Sequence, residues 1–329
     1  MIKKKALLML SGGLDSILAG KLILDQGIKV EAVHFEMPFH SFRPGKSSLE
    51  VSKKAAQKLE IKLKIIRLGN EFLKIVRKPK FGYGAHMNPC IDCRILTFKK
   101  AYQYMKKAKA GFIVTGEVLG ERPFSQRRNA MIQIDKESGL TGLVVRPLSA
   151  KRLDLTIPEE QGVIAREKLL DITGRSRKKQ LALAEKYRIT EYLTPAGGCL
   201  LTDPAFSERV NDLVEHNELS LNEVELIKTG RYLRFSSEVK TVVGRNDEEN
   251  NRIKELAKDF DILMETSEFP GPTTIVRGKY TEKDIKLAAE ITAGYSKGKD
   301  KDNIKVLFWN KGSKTKKVLE VKPRFMKNI

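Results

Sequence analysis

Apolar stretches alternate with helix-like patterns through the first part of the chain. Mostly apolar runs at residues 6–10, 29–35 and 63–68 have the length of buried strands. Between them, apolar residues recur at the three- and four-residue spacing of an amphipathic helix. Strands and helices that alternate in this way predict parallel strands joined by right-handed crossovers. We therefore expect an α/β domain, built as a mainly parallel sheet with helices on both faces.

The pattern changes after a helix predicted at residues 205–216. Beyond it, short strands alternate with helices, and a last pair of strands is predicted at 304–309 and 317–321. This is typical of a small α+β domain. The 329 residues are long enough for two domains, and we place them at 1–221 and 222–329.

The first predicted strand breaks into a short loop rich in serine and glycine. Gly12 and Gly13 lack a β-carbon, so their backbone N–H groups can approach a polyanion closely, and Ser11 and Ser16 add hydroxyl donors. The helix that follows directs its positive end at the same place. The loop has no lysine to follow a transferred γ-phosphate, and Asp15 is suited to hold Mg²⁺ against phosphate oxygens. These features predict an anion site that suits a departing pyrophosphate; the alternative is an ordinary strand-to-helix turn capped by serine.

Two other predicted strands end near this loop. Ligands of parallel sheets gather at the carboxyl ends of the strands, so the end of the second strand, at His34 and Phe35, is expected to line the nucleotide pocket. Thr115 and Gly116, at the end of the strand predicted at 111–116, are expected there as well. His34 is equally compatible with a place in the core.

The chain has three cysteines, and all of them lie in loops rich in glycine or proline. Cys90 and Cys93 are predicted at the entrance of a helix, where the helix dipole favours a thiolate. Cys199 follows the small-residue segment 195–198, whose backbone could close around an inorganic core. Structural zinc needs four ligands, and only His86 is near enough in sequence to complete the set. Three thiolates suit a [4Fe–4S] cluster with one open iron, whereas a persulfide on Cys199, resolved by a CxxC cysteine, would need no metal.

The charge of the chain favours a nucleic-acid partner. It has 62 Lys and Arg against 41 Asp and Glu, a formal net charge of +21, which suits a polyanion held partly through counterion release. No signal-peptide pattern or membrane-spanning run is found, so we expect a cytoplasmic protein that does not contact a membrane. The basic residues expected to contact RNA are Arg127, Arg128, Arg231, Arg234, Arg245, Arg277 and Lys279.

The loop resembles a known signature. Residues 11–16, Ser-Gly-Gly-Leu-Asp-Ser, are similar to the SGGxDS motif of the PP-loop ATP pyrophosphatases, which cleave ATP between the α and β phosphates and adenylate a carbonyl oxygen. Joined to residues 88–93, Asn-Pro-Cys-Ile-Asp-Cys, and to Cys199, it resembles the tRNA-uridine thiolases, which include 2-thiouridine and 4-thiouridine synthetases. In the cluster-dependent members a CxxC pair and one remote cysteine hold the cluster. The resemblance therefore implies that Cys90, Cys93 and Cys199 are cluster ligands and that the open iron carries sulfide.

A second resemblance concerns the C-terminal domain. Residues 228–234 and 242–246 resemble the RNA-binding domain of the NFACT proteins. No RNA-binding extension like that of 4-thiouridine synthetases precedes the loop, so the C-terminal third is expected to supply this function.

Together the motifs predict an ATP-dependent sulfurtransferase acting on a tRNA uridine. Its cofactors would be ATP, Mg²⁺ and a [4Fe–4S] cluster, and its partners tRNA and a sulfur donor, either sulfide or a persulfide carrier; a homodimer is compatible with this interpretation. A PP-loop amide ligase using ammonia is one alternative, although it would not need three loop cysteines. A nucleotide-sensing RNA-binding protein without catalysis is the other.

Overall fold

The computed structural model describes residues 2–40, 47–193 and 199–326. The chain divides into two compact units, Met1–Leu200 and Leu201–Ile329. Within the described ranges, none of the helices is both long enough and apolar enough to cross a bilayer.

The first unit is built on a sheet of five parallel strands in the order β3-β2-β1-β4-β5. These strands are β1 (Lys5–Met9), β2 (Lys29–Glu36), β3 (Lys62–Arg67), β4 (Phe112–Thr115) and β5 (Val144–Val145). The helices are α1 (Leu14–Leu24), α2 (Ser48–Lys58), α3 (Asn70–Arg77), α4 (Cys90–Lys107), α5 (Arg128–Glu137), α6 (Ile157–Glu160) and α7 (Lys178–Lys186).

Helices cover both faces of this sheet, as the alternating pattern predicts. Leu8 points into a cluster that contains Ile17 of α1 and Ala55 of α2. Leu7 points to the opposite face and is also fully buried. Helix α4 packs against the same sheet at β1 and β4. Burial on both faces accounts for the continuous apolar run of β1. The carboxyl end of β1 leads directly into the loop before α1.

The second unit has an antiparallel six-stranded sheet in the order β11-β10-β8-β9-β7-β6. The strands are β6 (Arg231–Ser236), β7 (Val239–Val243), β8 (Ile262–Thr266), β9 (Thr274–Gly278), β10 (Ile304–Asn310) and β11 (Lys317–Val321). The helices are α8 (Pro204–Glu215), α9 (Leu221–Lys228), α10 (Asp247–Leu256) and α11 (Glu282–Gly294). The α+β class predicted for this part is confirmed.

The contacts place α8 in the second unit, whereas the domain boundary predicted from the sequence follows residue 221. Asp212 of α8 accepts a hydrogen bond from Arg234 Nε of β6 at 3.0 Å, and Arg209 Nη1 donates to the carbonyl of Ile227 at 3.1 Å. These contacts attach α8 to the antiparallel sheet through Arg234 and to α9 through Ile227.

Candidate nucleotide and thiol site

The loop between β1 and α1 is closed by its own hydroxyl groups. Ser16 Oγ donates to the carbonyl of Gly13 at 2.8 Å and accepts from Ser11 N at 3.2 Å. Gly12 has φ +82°, a left-handed conformation that favours glycine, and a β-carbon there would lie 3.0 Å from the carbonyl oxygen of Ser48. The loop therefore places small residues at the positive end of the eleven-residue helix α1, as an anion site requires.

The end of β4 lies directly against this helix start. A β-carbon on Gly116 would be 2.3 Å from Ser16 N and 2.4 Å from the carbonyl carbon of Asp15. Thr115 is buried next to it and pairs in register with Met9 of β1. Thus Thr115 and Gly116, both predicted to line the nucleotide pocket, lie beside the loop, and the glycine is required by the close approach of the two backbones.

His34 and Phe35 lie in the interior rather than on an open pocket wall. His34 is 1% exposed, and its Nδ1 lies 2.9 Å from both the carbonyl oxygen of Leu10 and Ser52 Oγ. Burial lowers the pKa of His34, so the neutral imidazole is favoured. The histidine connects β2 and α2 to the last residue before the loop, which is a positioning role. Phe35 is 8% exposed.

Asp15 lies in the first turn of α1 among groups that the sequence did not single out. Burial raises its pKa, while Arg177, the Gln180 amide and Arg122 act in the opposite direction. Arg177 Nη2 lies 3.8 Å from Asp15 Oδ2. The other oxygen, Oδ1, is buried and has no hydrogen-bond partner among the described residues, so it is oriented to accept a ligand or cation. Burial and the negative charge of Asp15 together raise the pKa of Glu121, which makes it a second carboxyl at this place.

Two cysteines begin α4, as predicted. Cys90 Sγ donates to Asn88 Oδ1 at 3.1 Å, and Cys93 Sγ lies 3.6 Å from the sulfur of Met37, just beyond β2. Cys199 is brought to the same segment after β2, because it forms an isolated antiparallel bridge with His40. The segment 194–198 that precedes it lies outside the described residues.

The three thiols influence one another electrostatically. The pKa of Cys93 is raised to about 12, first by burial and then by Cys199, with a smaller contribution from Cys90; Arg94 and Arg122 lower it. Burial also raises the pKa of Cys90. The thiolate expected at a helix entrance is therefore not found for the unliganded thiols, because loss of solvation outweighs the helix dipole. The three cysteines nevertheless lie close enough to interact.

The zinc alternative would need His86 as the fourth ligand. His86 is exposed, and within the described ranges no group of three His, Cys, Asp or Glu side chains is arranged to hold a metal ion. A site of tetrahedral ligands around one ion is therefore not preformed.

Arg122 connects the loop and the thiols. Its positive charge lowers the pKa of Asp15 and also the pKa of Cys90 and Cys93. Arg122 lies on the segment after β4, and its backbone N–H donates to Gln126 Oε1 at 3.1 Å. The carboxyl ends of β1 and β4 and the start of α4 therefore lie near one another.

A buried ion network holds the segment that carries Arg122. Glu117 is 1% exposed; its two oxygens lie 2.9 Å from Arg94 Nη2 and 2.9 Å from Arg146 Nε. Arg146 also binds Asp135 at 2.7 Å. Although burial alone raises the pKa of Glu117, the two guanidinium groups lower it overall. Since Arg94 directly follows Cys93, the network connects the thiol helix to the end of β4. Sequence analysis missed these residues because it shows no pairing between distant charges.

The basic residues predicted to contact RNA fall into two groups. Those that are exposed or half-exposed are Arg127 and Arg128 at the start of α5, Arg231 (4.4 Å from the Tyr295 ring centroid), Arg245 and Lys279. Arg234 and Arg277 differ, because their side chains are 9% and 8% exposed and are bound by carboxylates. Two carboxylates bind each guanidinium, so these two arginines have a structural role in the second unit, not the phosphate contact expected from the sequence.

Two family models match separate parts of the chain. Residues 1–153 match the model described as Thiamine biosynthesis protein (ThiI), and residues 230–329 match the NFACT protein RNA binding domain. Both resemblances seen in the sequence are confirmed.

Curated relatives match the N-terminal part. The tRNA-specific 2-thiouridylase of Sulfurimonas denitrificans is 35% identical over 124 residues, 36% of this chain and 36% of its own length. A probable tRNA sulfurtransferase of Lysinibacillus sphaericus is 32% identical over 163 residues, 48% of this chain and 38% of its own. The chain thus spans little more than a third of these relatives. Among solved structures, a 4-thiouridine synthetase in complex with RNA and ATP aligns with TM-score 0.37 and 21% identity, covering 67% of this chain and 53% of that one.

Proposed function

We propose that this protein is an ATP-dependent tRNA sulfurtransferase that adenylates a uridine carbonyl oxygen and replaces it with sulfur. The observation that carries the proposal is that the loop before α1 and the start of α4 both adjoin the end of β4: Gly116 lies against Ser16, and Glu117 binds Arg94, which follows Cys93, at 2.9 Å. A nucleotide loop and a sulfur site at the end of one strand can act on the same substrate atom. The matched family models and the tRNA-modifying relatives support this choice of substrate class.

The nucleotide would bind at the start of α1. Backbone N–H groups of the Gly12–Gly13 loop and the dipole of the eleven-residue helix favour the phosphates of ATP. Asp15 Oδ1, buried and without a partner in the described structure, would be suited to hold a Mg²⁺ ion that neutralises phosphate charge. Arg122 and Arg177 balance the charge of Asp15 and would face the same phosphates.

The reaction balances as two substitutions. The uridine carbonyl oxygen attacks the α-phosphorus of ATP, the bond from that phosphorus to the bridging oxygen breaks, and pyrophosphate leaves. Sulfur, delivered at the oxidation level of sulfide, then attacks the ring carbon that carries the adenylated oxygen. The bond between that carbon and the oxygen breaks, and AMP leaves with the oxygen. The entering sulfur releases a proton. Adenylation converts a poor leaving group into AMP, and Arg122 would stabilise the negative charge that develops on it.

The three thiols suit a [4Fe–4S] cluster. Three cysteine ligands are the donor set of a cluster with one open iron, and each thiol would bind a different iron, so they need not converge on a single ion. Cys93 is buried beside Arg94 and Arg122, and ligation by iron would stabilise the thiolate that burial disfavours in the unliganded protein. When bound, the cluster would supply an open iron that holds sulfide. The sulfide or persulfide source, the homodimer and the cytoplasmic location stay predictions.

One experiment tests the proposal. Protein purified without oxygen is incubated with ATP, Mg²⁺, sulfide and tRNA, and pyrophosphate, AMP and thiolated nucleosides are measured. We expect formation of pyrophosphate and AMP that depends on tRNA, together with a thiouridine detected by mass spectrometry. Product formation that needs ammonia instead of sulfide, or no turnover of ATP with any tRNA, would contradict the proposal.

Cysteine variants separate the two halves of the reaction. Replacing Cys90, Cys93 or Cys199 by alanine should abolish thiolation and the bound iron, about four irons per chain, while ATP binding remains. Met37→Leu, which removes the other sulfur near Cys93, is the matched control and should retain iron. Iron-free protein that still thiolates tRNA would favour the persulfide route.

A further inference from the structure

The two faces of the antiparallel sheet in the second unit are covered differently. Helix α11 packs along one face, where Ile304 and Val306 of β10 and Met264 of β8 form a buried cluster with Ala288 and Ala289. Because side chains alternate along a strand, the residues between these positions point to the opposite face.

Over β6, β7 and β9, that opposite face is closed by ion pairs with the helical segments. Arg234 binds Glu218 at 2.7 Å, Lys240 binds Glu223 at 3.2 Å, and Arg277 binds Glu223 at 2.8 Å. These charges are paired within the unit, so this part of the face does not offer free charges to a ligand.

Over β10 and β11, the same face carries exposed apolar side chains. Leu307 pairs in register with Val318, and Trp309 lies two residues further along β10 on the same side. Val318 is 55% exposed, whereas Leu307 and Trp309 are partly exposed. Lys305, also on this face, is held by Glu268 at 3.3 Å.

The hairpin that joins these strands is basic. It carries Lys311, Lys314, Lys316 and Lys317 without an acidic residue between positions 310 and 317. Lys316 Nζ lies 4.2 Å from the centroid of the Trp309 ring, so a positive charge and a flat aromatic surface occur at the same place. Lys317 pairs in register with Phe308 on the opposite face, and Lys311 Nζ donates to the carbonyl of Lys254 at 2.6 Å. We name Leu307, Trp309, Val318, Lys314 and Lys316 the Trp309 face.

We propose that the Trp309 face binds a single-stranded segment of RNA, with a base stacked on Trp309 and the phosphates contacted by the hairpin lysines. The proposal rests on the RNA substrate proposed above and identifies a surface that contacts it. Unpaired bases stack on aromatic side chains, whereas paired bases cannot present their faces. Lys314 and Lys316 beside an apolar strip are complementary to a polyanion that also has apolar rings, which is the chemistry of single-stranded nucleic acid and not of an apolar protein surface.

The chain offers a direct probe, because Trp309 is its only tryptophan. Intrinsic tryptophan fluorescence of the full-length protein therefore reports on this residue alone, and a stacked base should quench it. We would titrate the intact protein with a short oligouridine, with an RNA duplex of the same length and with inorganic polyphosphate, at one salt concentration. We expect saturable quenching by oligouridine and by tRNA. If the duplex and polyphosphate quenched the fluorescence as strongly as oligouridine, charge alone would explain the effect, and the stacking proposal would be overturned.

Variants test the surface by a second route, through RNA affinity measured with labelled oligouridine. Trp309→Ala should weaken binding by about tenfold, and Trp309→Phe should retain most of it, since phenylalanine still stacks. Phe325→Ala is the matched control: Phe325 is 69% exposed and contacts Tyr295 at the end of α11 instead of the Trp309 face, so its loss should leave affinity unchanged. Equal affinities of the Trp309→Ala variant and the unaltered protein would refute the proposal, and a protein-only partner for this face would then be the alternative.

These readouts need neither ATP nor sulfur. Failure of thiolation with intact quenching would therefore contradict the proposed function alone, whereas thiolation without quenching would contradict the Trp309 face alone.

Discussion

Gly116, at the end of β4, lies so close to Ser16, in the first turn of α1, that a β-carbon on the glycine would be 2.3 Å from the serine backbone nitrogen. Real β-carbons essentially never approach another heavy atom so closely, and the atom met is backbone, so no change of rotamer can relieve the clash. The contact fixes the distance between the strand end and the loop that would hold ATP.

We therefore expect Gly116→Ala to displace the start of α1, lower the melting temperature and weaken ATP binding by roughly tenfold or more, since misplaced donors lose their phosphate contacts. Calorimetric titration with a non-hydrolysable ATP analogue and a thermal melt would measure both effects. Gly13→Ala is the control for stability, because its β-carbon would meet no atom nearer than Ser11 Oγ at 3.5 Å. Equal melting temperatures of the two variants would show that the approach is not constrained.

The second prediction concerns Asp15. Asp15→Asn should keep the fold, because Asp15 lies in the first turn of α1 and its ion pair, with Arg177 at 3.8 Å, is a long one. It should reduce tRNA-dependent AMP formation by about 100-fold or more, because the metal–phosphate contact is lost. The control, Asp154→Asn, removes an 84% exposed carboxylate that pairs with Arg128 and should be active. Near-normal turnover of the Asp15 variant would refute the metal role of this residue.

The third prediction separates structural from RNA-binding cations. Arg277 Nη1 lies 2.8 Å from Glu223, and its Nε lies 3.0 Å from Asp261. Arg277→Gln should therefore lower the free energy of unfolding by about 3–5 kcal/mol, since the Asp261 carboxylate stays buried without a counter-charge and Glu223 loses one of its ion pairs. Urea unfolding would measure the loss.

Lys279 is two residues away and 83% exposed. Lys279→Gln should leave urea unfolding unchanged and, if this lysine contacts a phosphate, should reduce the salt dependence of tRNA binding by about one unit of slope. Unchanged stability of the Arg277 variant would contradict the structural role given to that arginine.

The fourth prediction is a dependence of stability on pH from His34. Burial lowers its pKa in the folded protein, so the unfolded chain takes up a proton more readily. The free energy of unfolding should then fall as the pH falls below about 6.5, the ordinary histidine pKa, and level off below the folded-state value. His34→Gln should flatten this part of a urea-unfolding series, whereas His86→Gln, at an exposed residue, should retain it. Parallel curves for the two variants would contradict the prediction.

Local patterns determined a large part of this protein. The sequence predicts the apolar run of β1, the Ser-Gly-Gly-Leu-Asp-Ser loop and the helix after it. Burial on both sheet faces requires consecutive apolar residues, and the left-handed backbone at residue 12 favours glycine, so both features appear in the local sequence. The two-part organisation also showed in the change of pattern, although the contacts of Asp212 place α8 with the second unit.

Only the tertiary structure decided which charges and thiols are solvated. Arg277 and Lys279 have similar sequence surroundings, yet one is enclosed by carboxylates and the other is exposed, because Arg277 lies within β9, where Glu223 and Asp261 bind it, whereas Lys279 follows the last residue of that strand. The helix entrance of Cys93 favours a thiolate locally, whereas burial by distant segments raises its pKa to about 12. Arg122 belongs to no motif in the sequence, and that its charge acts on both Asp15 and the cysteines follows only from the fold. Solvation and charge–charge distance depend on residues far apart in the chain, and for that reason the sequence determined the chemistry available to the site while the fold decided its arrangement.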